Sequence, residues 1–86
     1  MTKTEKITQL INDLRDNNPR VCRDCQLWIR EMILKNLIAL NGRVTESNVD
    51  DEVETFRGGA TLFIADNSYG DECDLLWKAI KALGTE

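Results

Sequence analysis

Residues 19–40 read PRVCRDCQLWIREMILKNLIAL, and how this stretch folds decides what the rest of the chain can pack against. Pro19 suits the first position of a helix, where its missing N–H is one of the donors a helix leaves unpaired, and Asn18 before it is a good N-cap. Asn41-Gly42 offers a left-handed stop. The spacing therefore predicts one long central helix over about 19–40, roughly 33 Å at 1.5 Å per residue. On a wheel of 100° per residue, Cys22, Cys25, Trp28, Ile29, Met32, Ile33, Leu37 and Leu40 form a broad face, and Leu27, Leu34 and Ile38 form a second stripe. Arg23 and Arg30 separate the two on one side; Asp24, Glu31 and Lys35 separate them on the other. Two apolar faces need two covers. The flanking helices can supply both, or the Leu27/Leu34/Ile38 stripe can be the chain's interface with another copy of itself.

Working outward, Thr2-Lys3-Thr4-Glu5 has the spacing of a capping box, and Ile7, Leu10, Ile11 and Leu14 follow at helical period, which predicts a first helix to about Asp16. After Gly42 two readings compete. In the first, Ser47-Asn48-Val49-Asp50 caps a short helix bearing Val49, Val53 and Phe56, ended by Gly58. In the second, two strands joined by Gly58-Gly59 make a β-hairpin at about 53–65 packed on the helices, which would make the fold α+β. Asp66-Asn67-Ser68-Tyr69-Gly70 is a turn cluster, and Asp71 can cap a last helix carrying Cys73, Leu76, Trp77, Ile80 and Leu83 up to Gly84. The favoured fold class is mainly α: a compact, small helical domain around the long central helix, one domain over 1–86, with no repeat and no linker. Trp28 and Trp77 are expected to be mostly buried.

Composition narrows the chemistry. The chain has 86 residues, 42% of them hydrophobic and 30% charged, which is ordinary for a globular domain and too short for a separate substrate domain. Nothing resembles a secretory leader or the ~20 apolar residues of a membrane span, so no membrane association is expected. Three cysteines without histidine fall short of a structural zinc site. Cys22-Arg23-Asp24-Cys25 lies within predicted helix, without the preceding strand of a thioredoxin-type motif. Both thiols are expected to be reduced, buried and metal-free, in a cytoplasmic protein. No cofactor is called for.

Catalysis finds little support. Asp50/Asp51 and Asp71/Glu72 lie in solvated, turn-rich sequence where nothing would raise a carboxyl pKa, and histidine, the commonest general base, is missing. The segment from Asp66 to Glu72 has the glycine one position early for a calcium loop, and Gly58-Gly59 lacks the Lys-Ser/Thr of a phosphate loop. The protein is not expected to be an enzyme. A helix-turn-helix transcriptional regulator has roughly the right cadence, but its DNA-facing segment would carry Asp50, Asp51, Glu52 and Glu54, so direct nucleic-acid binding is not expected.

The charge is unevenly placed. Residues 1–43 hold eight Lys/Arg against five Asp/Glu, and residues 44–86 hold three against ten. An acidic surface of this kind can dock on a basic, nucleic-acid-binding site of another protein. The resulting expectation is a small acidic, non-enzymatic protein-binding module with an intracellular partner. Its most concrete form is a phage-type or mobile-element inhibitor that occludes a nucleic-acid-binding or active surface of a host enzyme or defence complex. Asp50, Asp51, Glu52 and Glu54 are the candidate contact residues, with Phe56 and Tyr69 as aromatic anchors. A homo-oligomeric structural or regulatory protein is the alternative, and a homodimer is expected somewhat more often than a monomer.

Overall fold

The computed structural model describes residues 1–85 and shows a mainly α protein: α1 (Lys3–Arg15), α2 (Pro19–Cys22), α3 (Leu27–Arg43), α4 (Val49–Asn67) and α5 (Asp74–Ala82). The described residues contain no strand, so the β-hairpin alternative at 53–65 is overturned. α3 lies between α1 and α4, and α5 closes the other side against α4 and α2. All five helices share one core, centred on Ile7, Ile29, Ile33, Leu37, Leu76 and Ile80.

Local chemistry sets several boundaries. Thr2 caps α1 as a full capping box: its hydroxyl accepts from the Glu5 N–H at 3.2 Å, and Glu5 accepts from the Thr2 N–H at 3.1 Å. Asn18 caps α2 through its side-chain oxygen, with Pro19 at the first helical position. At the far end of the bundle Lys6 donates to the Ala82 and Thr85 carbonyls, placing a cation at the negative end of α5.

The expected central helix over 19–40 is in fact broken. Helical structure stops at Cys22 and resumes at Leu27. The intervening backbone is held by groups far away in the chain: the Asp24 carbonyl accepts from the Cys73 N–H at 3.1 Å, and an Asp24 carboxylate oxygen accepts from the Leu75 N–H at 3.3 Å. Cys25 forms a disulfide with Cys73. The expectation that Cys22 and Cys25 are both reduced is therefore corrected for Cys25; among the described residues the free thiol is Cys22, which is buried. With that bond present, the cysteine count no longer argues for a reducing compartment. Arg30 completes the junction, donating from Nε to the Cys25 carbonyl (3.1 Å) and from Nη1 to Asn17 (2.8 Å).

Two stop signals are overrun. α3 continues through Asn41-Gly42 to Arg43, and α4 runs through Gly58-Gly59 to Asn67. In α4 the apolar positions Val53, Phe56, Ala60 and Ile64 keep one helical face buried across the glycine pair, and this burial outweighs the ~1 kcal/mol that each mid-helix glycine costs. α5 starts at Asp74, with Cys73 as the cap in left-handed geometry, later than the expected cap at Asp71. Among the described residues no helix is long and apolar enough to cross a membrane.

Candidate protein-binding surface

α3 carries apolar residues on its core side and along both edges of its outer side, yet only the core side is covered. Ile29, Ile33, Leu37 and Leu40 face the core and are essentially inaccessible. Measured from Leu27 at 100° per residue, they occupy one sector of the wheel, and the opposite half is open to solvent. That open half carries Leu27 (57% exposed), Ile38 (43%), Trp28 (46%) and Met32 (42%), with Ala39 and the half-buried Leu34. Between the two apolar edges run Glu31, Lys35 and Gly42. A helix with apolar residues on every side is normally buried on every side.

Grooves flank this face. On the α1 side, Leu14, Arg15, Asn17, Leu27, Arg30 and Leu34 line a depression of about 310 Å³. On the α4 side, Asn36, Arg43, Phe56, Gly59 and Phe63 line another of about 310 Å³. Trp28 bridges towards α4, its ring meeting Phe63 edge-on at 5.8 Å between centroids, while its N–H donates to Gln26 at 2.8 Å. The indole is thereby held in place with half its surface in water. The expectation that Trp28 is mostly buried is corrected; Trp77 is half-buried, with the Lys81 ammonium 4.5 Å from its ring centre.

The residues chosen from the sequence lie elsewhere. Asp50, Asp51, Glu52 and Glu54 form the first turn and a half of α4, where three of them are ion-paired: Asp50 to Lys3 at 2.7 Å, Glu52 to Arg43 at 3.2 Å and Glu54 to Arg57 at 2.8 Å. Those pairs offset much of the cluster's negative field, and among the described residues Asp51 makes no ion pair. Phe56 is a core residue at 8% exposure, so it cannot serve as an exposed anchor. Tyr69 stands fully out in the α4–α5 link at 86% exposure, far along the chain from the acidic turn.

Ionisable groups are clearly shifted at Glu5 in the first turn of α1 and at Lys78 in the middle of α5. Hydrogen bonds from the Thr2 backbone and hydroxyl hold Glu5 below the usual carboxylate range. The hydrogen bond to Asp74 raises Lys78 above the usual lysine range. Among the described residues no three His, Cys, Asp or Glu side chains are placed to hold a metal ion.

Leu27, Leu34 and Ile38 were recognisable from the sequence as a stripe in need of a cover; Trp28 and Met32 were assigned to the core instead. In α3 the buried sector is that of Ile29, Ile33, Leu37 and Leu40, and Trp28 and Met32 fall outside it. Compared with protein-family models, curated proteins and solved structures, the chain matches none.

Proposed function

We propose that the protein is a non-enzymatic interaction module whose contact surface is the outer face of α3. The observation that carries this reading is the exposure of Leu27, Trp28, Met32 and Ile38 together on one rigid helix. Leaving so much apolar surface in water costs about 25 cal/mol per Å², which covering it would recover. Rigid aromatic and methionine side chains are also what interface centres are enriched in. The acidic turn of α4 then plays a secondary part, because Lys3, Arg43 and Arg57 already pair with most of it.

In its most specific form, the module is a small inhibitor of the kind carried by phages and mobile elements, occluding a nucleic-acid-binding or active surface of a host enzyme or defence complex. The small size and the net charge of -4 support that form. The helix-turn-helix reading is weaker, because the α4 N-terminus that would approach DNA is acidic.

Capture experiments with two surface variants test the proposal. Trp28→Ser with Met32→Ser should abolish capture of whatever the wild type retains, while Asp51→Lys with Glu54→Lys should keep it. The reverse pattern, in two variants with wild-type circular dichroism, would return the contact surface to the acidic turn.

A further inference from the structure

We infer that the occupant of the α3 outer face is a second copy of this chain, packed with its α3 antiparallel to the first across a two-fold axis that crosses the outer face at the height of residue 33. The inference rests on the reading of that face as a contact surface and adds what covers it.

The argument is one of self-complementarity. In an antiparallel pair related by such an axis, a residue meets the partner residue equally far beyond the axis on the same edge of the face. Around that axis this places Leu27 against Ile38 of the partner subunit on one edge. On the other it places Trp28 against the partner's Ala39, a large ring against a small side chain, with the two Met32 side chains adjacent. Along the centre line Glu31 meets the partner's Lys35, and Lys35 meets the partner's Glu31. Glu31 and Lys35 make no ion pair within the monomer among the described residues, so both are available. A parallel arrangement would instead set Glu31 against Glu31 and Lys35 against Lys35.

The area is adequate. Leu27 and Ile38 on one edge and Trp28 and Met32 on the other together expose on the order of 400 Å² per copy. Two copies would bury roughly 800 Å² from these side chains alone, about half of a ~1,600 Å² standard interface, and the apolar share of such interfaces is about 56–65%. α3 spans 17 residues, about 26 Å, long enough to carry the contact.

The test is sedimentation equilibrium of the whole chain with single charge reversals. The wild type should associate to twice the 9.8 kDa of one chain at micromolar concentration. Glu31→Lys and Lys35→Glu should each weaken self-association by at least about tenfold, because each change occurs twice in the dimer and creates like-charge contacts. Mixing the two single variants should restore a dimer, since every Glu31/Lys35 position is then again opposite its complement. The like charges within each variant helix persist in the mixture, so this rescue cannot come from intrahelical pairing. Circular dichroism should show both variants folded. A wild type that stays monomeric up to millimolar concentration overturns the proposal, as does a dimer that neither reversal weakens or a mixture that fails to reassociate. A monomeric wild type that still loses capture with Trp28→Ser and Met32→Ser would refute the second copy while leaving the contact surface standing.

Discussion

Reducing the Cys25–Cys73 bond should remove a large part of this protein's stability. The two residues are 48 apart in sequence, and closing a loop of that length in the unfolded chain lowers its entropy by an amount worth about 4 kcal/mol at 25 °C. A domain of 86 residues has a total stability of roughly 4–13 kcal/mol at ordinary per-residue values. The bond thus supplies between a third and nearly all of it. Its loss also leaves the N-terminus of α5 held to this segment by two hydrogen bonds, one accepted by the Asp24 carbonyl and one by its carboxylate. The assay is urea unfolding followed by circular dichroism in a Cys22→Ala background, where thiol exchange with the neighbouring free cysteine is blocked. Oxidised and reduced samples of that single variant are compared, so the substitution itself cancels. The expected outcome is a loss of about 4 kcal/mol on reduction, read as a fall in the urea midpoint with the slope of the transition in hand. Identical unfolding curves, or two titratable thiols in the unreduced, unfolded variant, would refute the reasoning.

Further predictions follow from individual side chains. Gly58→Ala should raise stability by about 0.5–1 kcal/mol, since the added methyl meets nothing within 4 Å and stiffens the middle of α4; a lowered melting temperature would contradict the helix drawn there. Leu37→Ala should cost about 2–5 kcal/mol, while Trp28→Ala in the monomer should cost nearer 1 kcal/mol, mainly the lost edge contact with Phe63; equal losses in urea titrations would place Trp28 in the core after all. Because Thr2 holds Glu5 below its usual pKa, the capping-box contribution is present above pH ~4.3 and is lost as pH falls through the lowered folded value. Glu5→Gln should therefore melt below wild type at neutral pH and converge with it in strong acid, and a gap independent of pH would count against that linkage.

The parts of the fold legible in the sequence are those decided within a few residues. The Thr2 capping box, the Asn18-Pro19 start and the buried side of the last helix need only their neighbours. The break at residues 23–26 is different, because it depends on Cys73 and Leu75, and nothing local announces that Asp24 will cap a helix 51 residues away. Gly58-Gly59 offered a turn with good local chemistry, and burial of Ala60 and Ile64 beyond it carried the helix through. At the candidate site, the Leu27/Leu34/Ile38 stripe was visible as surplus apolar surface. Trp28 and Met32 were hidden by the assumption of one continuous helix, which put Cys25 on their face and drew its centre towards them. Once α3 begins at Leu27, the core sector centres on Ile29, Ile33, Leu37 and Leu40, and both side chains fall outside it.

The most direct measurement of whether the α3 outer face is a contact surface uses the chain's two methionines. Met1 is 70% exposed and precedes α1, and Met32 sits at the edge of the proposed contact at 42%. Under limited peroxide oxidation read by peptide mass spectrometry, Met1 serves as the internal clock for Met32. The two rates are compared in dilute free protein and in the assembled state, either concentrated chain or captured complex. The account predicts that Met32 slows several-fold relative to Met1 on assembly. An unchanged ratio in both concentrated and captured protein would show that the outer face of α3 stays in water, and would contradict it.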